Sequence, residues 1–273
     1  MGYGDFIVEI LEEVSGIARN SFGKVSGVAK MEDNNQILTE TDLKIGQAIV
    51  EKIQERFPTH NIIDEEAGVI NKKSNLTWVV DPIDGTSNFA SGVPLYGIMV
   101  GLLEDDVPVA GGIALPSYSE IYVAEKGHGA YCNGEKIVIS READLKNSLV
   151  AYGIDGHQEN PEFTRNECEL LAEIVLNIRN LRTSNSAFDV AMVAKGKYGA
   201  FLNRTSKIWD NVAQQVVIEE AGGIYTDFFG NPIDYANHLD RAEDNFTFLA
   251  ASQELHKKLS QIIKNTRSEG AKS

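Results

Sequence analysis

Trp78-Val79-Val80-Asp81-Pro82-Ile83-Asp84-Gly85-Thr86-Ser87-Asn88-Phe89 is the stretch around which the chain is organised. Three apolar, strand-forming residues run into Asp81-Pro82, where proline removes a backbone donor and is expected to end a central strand. The strand is therefore predicted to stop at a carboxylate. Asp84 follows across a turn that Pro82 and Gly85 tighten, so two carboxylates and the carbonyl between them can converge on one point, as a hard cation requires. Thr86 and the Asn88-Phe89 pair can then open a short helix whose free N–H groups face an anion held by the same cation. Alone, the stretch also reads as an Asp-rich surface turn.

A second segment lies far downstream, Ile208-Trp209-Asp210 through Glu219-Glu220-Ala221-Gly222-Gly223. Val212, Ala213, Val216, Val217 and Ala221 recur at helical spacing, Asp210 stands where an N-cap belongs, and the glycine pair stops the helix. Capping alone would account for Asp210.

Together, Asp81-Pro82-Ile83-Asp84-Gly85-Thr86-Ser87-Asn88-Phe89 and the Trp209-Asp210 segment closely resemble the two signatures of the inositol monophosphatase family. Ile62-Ile63-Asp64-Glu65-Glu66 resembles that family's strand ending in a Glu pair, and Thr39-Glu40-Thr41-Asp42 its Thr-x-Thr-Asp segment. The four motifs occur in the family's order and span most of the chain.

The resemblance implies an αβαβα sandwich of the inositol monophosphatase and fructose-1,6-bisphosphatase type, mixing α+β and α/β character. It implies two or three Mg2+ ions: Glu65, Asp81 and the Ile83 carbonyl on the first, Asp81, Asp84 and Asp210 on the second, and Glu65 also facing a weaker third. In two-metal sites the ions lie about 3.5–4 Å apart and clamp the attacking and leaving oxygens. It further implies that Asp42 accepts a hydrogen bond from Thr86, which orients the attacking water, while the Gly85 and Thr86 amides receive phosphate oxygens. No motif carries a side-chain nucleophile beside a base, which agrees with direct attack by water. The expected reaction is hydrolysis of a small phosphomonoester, a phosphorylated polyol or sugar such as inositol 1-phosphate. Lithium inhibition and a homodimer are implied as well.

Composition fits this. With 273 residues and 42% apolar content the chain can form one large domain or two intimate halves. Forty acidic against twenty-five basic residues give a formal charge of −15, which disfavours nucleic acid and anionic membranes as partners and leaves an anionic substrate in need of local neutralisation. No apolar run approaches the roughly 20 residues that span a bilayer, and the N-terminus lacks a signal-like pattern. Cys132 and Cys168 lack metal-ligand spacing and read as reduced thiols of a cytoplasmic protein. The five histidines form no zinc pattern, and no phosphate-binding loop of the Gly-x-x-x-x-Gly-Lys type is present.

In chain order, Phe6, Ile7, Ile10, Leu11, Val14, Ile17 and Ala18 line one face of a first helix. A polar, mobile loop through Gly27, Lys30 and Asn34-Asn35 is expected next, with Lys30 solvated. An amphipathic helix follows, with Thr41 or Asp42 as N-cap and Pro58 at its end. Residues 61–63 read as a strand, and 67–75 as a polar connection. Residues 95–103 and 107–115 read as a hairpin, followed by strands at 121–124, 130–132 and 136–138. From Ser148 strands alternate with helices. We therefore expect an N-terminal α+β half over 1–146, a C-terminal α/β half over 147–266 and a frayed tail over 267–273.

The substrate side departs from the family. Inositol-type members usually carry Glu seven residues before the second-motif Asp; here that position is Asn203, followed by Arg204. In Ser184-Asn185-Ser186-Ala187, Asn185 stands where Gly is common. Asn185, Ser186, Ala187, Asn203 and Arg204 are the candidate substrate contacts, beside Asp84, Gly85, Thr86 and Asp210. Arg204 can favour a second anionic group or be a surface residue, and the sequence assigns no role to Asp189. Related substrates include fructose 1,6-bisphosphate, histidinol phosphate, the 2′-phosphate of NADP and 3′-phosphoadenosine 5′-phosphate. The rival from another class is a non-catalytic metal-binding regulator, which would have no use for Thr86 and Asp42 together.

Overall fold

The computed structural model describes residues 2–25, 27–30 and 33–270, with backbone alone for 29–30, 33–37 and 267–270. The Lys30 side chain and residues 271–273 thus lie outside the described residues. The chain runs through α1 (Tyr3–Ser21), β1 (Val28–Lys30), β2 (Asp33–Leu38), α2 (Glu40–Arg56), β3 (Asn61–Asp64), β4 (Gly68–Ile70), β5 (Leu76–Asp84), α3 (Thr86–Ala90), β6 (Gly97–Glu104) and β7 (Val107–Leu115). It continues through β8 (Glu120–Glu125), β9 (Gly129–Cys132), β10 (Glu135–Lys136), β11 (Leu149–Gly153), α4 (Pro161–Asn177), β12 (Asn180–Arg182) and α5 (Ala187–Ala194). The last elements are β13 (Ala200–Asn203), α6 (Ile208–Glu220), β14 (Ile224–Thr226), β15 (Phe248–Ala251) and α7 (Gln253–Gly270).

Two sheets carry the fold. An eight-stranded sheet has the order β10-β9-β8-β7-β6-β5-β3-β4, antiparallel except for the β3/β5 pair. A five-stranded sheet has the order β12-β11-β13-β15-β14, with β12, β11 and β13 parallel. The near-continuous apolar run of β6 is buried from Gly97 to Leu103, as a strand covered on both faces must be. One face meets α1 and α2, through Ile7, Ile10, Leu11, Ile45 and Ile49 packed with Trp78 and Val80. The other meets α5 and α6, whose Val190, Ala213, Val216 and Val217 pack with Met99 and Ile113 and, across the layer, with Phe201 and Phe248. On the far side of the second sheet, Leu170 and Ile174 of α4 and Leu255 and Leu259 of α7 close the core over Val150, Tyr152, Leu202 and Leu249. The layers run α, β, α, β, α, as the resemblance implies.

Several local expectations change. The segment expected as a loop around Gly27–Asn35 forms the β1/β2 hairpin; its polar sequence shows no alternation, and Val28 is 70% exposed. β4 lies within the expected polar connection, β12 was not anticipated, and the strand expected over 136–138 ends at Lys136. β5 does not stop at Asp81 but continues to Asp84, accommodating Pro82 where the β5/β6 register shifts between Asp81 and Asp84. Helix α7 runs to Gly270, into the tail expected to fray from residue 267. The N-cap of α2 is Thr39, not Thr41 or Asp42: Thr39 Oγ1 accepts the Thr41 N–H at 3.1 Å, and Asp42 reaches back to the Thr39 N–H at 2.9 Å. Asp210 likewise is not the N-cap of α6 but its third residue, accepting the Lys207 N–H at 2.6 Å. In both helices an Asp takes the place that Glu or Gln holds in a capping box.

Candidate active site

Three segments distant in sequence meet above the end of β5. Carboxylate oxygens of Asp81, Asp84 and Asp210 lie within 4.8 Å of one another. Asp81 arrives on β5, Asp84 at its irregular end, and Asp210 in the first turn of α6. Glu65, just past β3, lies outside this tight trio but lines the same cavity, together with Ile83, Gly85 and Thr86. Asp64 makes the turn that brings Glu65 there, since its Oδ1 accepts the Glu66 N–H at 2.9 Å and the Ala67 N–H at 2.7 Å. Gly85 is required at its position. Its φ is +82°, and a Cβ there would lie 2.8 Å from Ser186 Cβ.

The Thr86 hydroxyl lies 3.1 Å from Asp42 Oδ1 and 2.7 Å from the Ile83 carbonyl. The loop before α5 docks on the same turn. The Ala187 N–H donates to Asp84, and Asn88 Nδ2 donates to the Ser184 carbonyl at 2.9 Å. Asp189, buried at the start of α5, accepts from Ser184 Oγ at 2.5 Å and from the Asn185 N–H at 3.0 Å. That explains both a residue without an assigned role and the departure at Asn185. The loop holds Asn185 at φ +52°, a left-handed conformation that Asn, after Gly, adopts most readily.

The electrostatics are those of a site built for positive charge. Burial, and then the charges of Glu65, Asp84 and Asp210, raise the Asp81 carboxyl well above its ordinary range. Burial and Asp210 do the same to Asp84. Asp210 is pushed up to about 6, chiefly by burial. Burial also raises Asp42 against the opposing pull of its hydrogen bonds to Thr39 and Thr86. Asp81 is 2% exposed, and its Oδ1 has no hydrogen-bond partner. A buried carboxylate oxygen without a donor, beside two further carboxylates, costs free energy that a bound cation offsets. The donor set is all oxygen and fits a hard divalent ion.

The cavity measures about 750 Å³. Asn185, Ser186 and Asn203 line it, whereas Ala187 takes part only through its bond to Asp84. Arg204 does not line it: its guanidinium lies 4.5 Å over the Phe163 ring and 5.6 Å over Phe228. Arg204, expected either as a substrate contact or as a surface residue, thus stands on aromatic rings outside the lining. Sequence reasoning missed Asp155, His157, Phe163, Thr205 and Lys207, which also line it. Asp155 follows a strand that runs parallel to β13 and opens at the same edge, a pairing that no local sequence pattern shows.

The Inositol monophosphatase family model matches residues 5–268. The chain belongs to the inositol monophosphatase family. Among curated relatives, it is 29% identical to inositol monophosphatase 1 of Sus scrofa, over 88% of this chain and 89% of the relative. It is 33% identical to the fructose-1,6-bisphosphatase/inositol-1-monophosphatase of Thermotoga maritima, over 83% and 85%. Among solved structures, a Thermotoga maritima IMPase superposes with a TM-score of 0.86 at 28% identity, covering 98% of this chain and 99% of that one. An inositol monophosphatase from Anabaena does so with a TM-score of 0.81 at 26% identity, covering 96% and 95%. The chain is accordingly a phosphatase of this metal-dependent family, an enzyme that hydrolyses phosphomonoesters. Among the described residues no helix is long and apolar enough to cross a membrane, and Cys132 and Cys168 are both free.

Proposed function

We propose that the protein is a magnesium-dependent phosphomonoesterase that hydrolyses a small phosphorylated polyol or sugar, of the inositol 1-phosphate kind, by direct attack of water. The observation that carries this reading is the Asp81, Asp84 and Asp210 trio with the Thr86 hydroxyl, tethered to Asp42, at the same turn. In this reading Glu65, Asp81, the Ile83 carbonyl, Asp84 and Asp210 hold two or three Mg2+ ions. Bound there, magnesium supplies Lewis-acid polarisation of the phosphate and charge stabilisation of the departing alkoxide. Thr86, held by Asp42, orients the attacking water in line with phosphorus. The Gly85 and Thr86 amides receive phosphate oxygens, and the loop over Asn185, Ser186 and Ala187 borders the leaving group. As the new bond to phosphorus forms, the bond to the ester oxygen breaks, and that oxygen leaves with a proton from water.

Lithium inhibition, a homodimer and a cytoplasmic location belong to the same reading and rest on the family resemblance. Titration of lithium chloride against sodium chloride at equal ionic strength tests the first, and coincident curves would remove it. The substrate is tested by measuring magnesium-dependent phosphate release from inositol 1-phosphate, fructose 1,6-bisphosphate, histidinol phosphate, NADP and 3′-phosphoadenosine 5′-phosphate. Highest kcat/KM on the first is expected. A clear preference for either nucleotide would overturn the polyol assignment while leaving the chemistry in place.

A further inference from the structure

One wall of the cavity comes from a segment with no recognisable motif. β11 and β13 are parallel neighbours with Gly153 opposite Asn203, so both strands release the chain at the same edge. The chain leaving β11 sets Asp155 against residues of two other segments. Asn185 Nδ2 donates to Asp155 Oδ1 at 3.1 Å, and Thr205 Oγ1 lies 3.4 Å from Asp155 Oδ2.

Asn203, at the position where inositol-type relatives carry Glu, is occupied within this network. Its Oδ1 accepts the Thr205 N–H at 2.7 Å, and its Nδ2 donates to Asn185 Oδ1 at 3.3 Å. It is 8% exposed. A Cβ on Gly153 would come within 2.5 Å of both Asn203 Nδ2 and Asn185 Oδ1, so the amide pair lies directly against the β11 backbone. Asn203 therefore offers a substrate neither a charge nor freedom to turn. The carboxylate on this wall is Asp155.

The charge around it is also one-sided. The acids lining the cavity are Glu65, Asp81, Asp84, Asp155, Glu159 and Asp210. Among the described residues, the only basic side chains on the lining are His157 and Lys207. Both are engaged with glutamates: His157 Nδ1 lies 3.1 Å from Glu159, and Lys207 Nζ donates to the Glu243 carbonyl and lies 3.6 Å from its carboxylate. Arg204, which could have received a second anion, is stacked outside the lining. A phosphate group fills only a small part of a cavity of about 750 Å³, which leaves room for the rest of a substrate beside Asp155.

We propose that Asp155 determines substrate choice, by accepting hydroxyl protons from an uncharged polyol or sugar leaving group and by repelling a second anionic group. Asp155 does from the β11–α4 connection what residue 203 cannot do here. The inference deepens the phosphomonoesterase reading and rests on it.

The test is Asp155→Asn, which removes the charge while an amide can still accept from Asn185 and donate to Thr205. Thermal melting checks the fold, and Asp155→Ser reads the same quantity should the amide fail to fold. kcat/KM is measured with magnesium on inositol 1-phosphate and on fructose 1,6-bisphosphate. For loss of a charge-assisted contact, the ratio of the first to the second should fall by about tenfold or more, with the loss on inositol 1-phosphate carried mainly by KM. If the variant lowers both substrates by the same factor, or changes neither, Asp155 only braces Asn185 and Thr205 and the proposal is overturned. If the wild type releases phosphate from neither substrate, the polyol-or-sugar reading itself fails and takes the proposal with it, while the phosphatase chemistry stands.

Discussion

The Thr86 hydroxyl sits 3.1 Å from Asp42 Oδ1, a contact between residues 44 positions apart that joins the turn after β5 to the first turn of α2. Asp42 can serve both because it is the third residue of its helix and not the cap: one oxygen holds the Thr39 backbone N–H, leaving the other for Thr86. A capping device and the tether of the Thr86 hydroxyl share one carboxylate.

That sharing separates two variants. Thr86→Val removes the hydroxyl and leaves the cap, so kcat should fall by about two to four powers of ten with an unchanged melting temperature. Asp42→Ala should lose activity and also about 1 kcal/mol of stability, through the lost bond to the Thr39 N–H. Equal melting temperatures for the two variants, measured alongside kcat, would separate Asp42 from the cap.

Stability of the metal-free protein should depend on pH with a definite sign. Asp189 and Asp210 are raised from 3.8 to about 6, first by burial, and Asp81 and Asp84 are raised as well. A carboxyl raised on folding contributes stability that is present below its unfolded pKa and lost as pH rises through the folded one, a window from about pH 4 to beyond pH 6. Calorimetry in a chelator should give a higher melting temperature near pH ~5 than near pH ~8, and a saturating divalent cation should narrow the gap. A metal-free protein that gains stability over that rise in pH would contradict the electrostatics described for the trio.

Arg204 provides a third test. Stacked over Phe163 and Phe228, it is expected to contribute roughly 0.5–1 kcal/mol of cation–π stabilisation and nothing to selectivity. Arg204→Ala should lower the melting temperature and leave the kcat/KM ratio between inositol 1-phosphate and fructose 1,6-bisphosphate unchanged. A selective loss on the bisphosphate would return Arg204 to the substrate.

The carboxylate trio was legible in the sequence because its residues sit in short motifs whose local geometry is nearly self-determined: Asp81 and Asp84 flank one turn, and Asp210 lies in the first turn of one helix. The Thr86 to Asp42 contact was legible only through family resemblance, since nothing local joins residues so far apart. The substrate wall was not legible. Asp155 reaches the cavity through the parallel pairing of β11 with β13, and Asn203 is silenced by Thr205 and Asn185, so each depends on non-local packing. Arg204 lies one residue past β13, and its place over Phe163 and Phe228 depends on packing with residues far along the chain, so neither of its two sequence readings could be chosen locally. The β1/β2 hairpin escaped because its residues are polar and it carries no apolar period.

The most direct measurement is magnesium-dependent release of inorganic phosphate by the wild type and by Asp84→Asn. The substitution removes one charge from the trio, keeps the shape, and leaves an amide oxygen to accept the Ala187 N–H. The wild type should release phosphate with magnesium and stop in excess chelator, and Asp84→Asn should be slower by at least about a hundredfold at saturating magnesium with its fold intact. Full activity of Asp84→Asn, or equal wild-type rates with and without chelator, would contradict the assignment of this carboxylate trio to the chemistry.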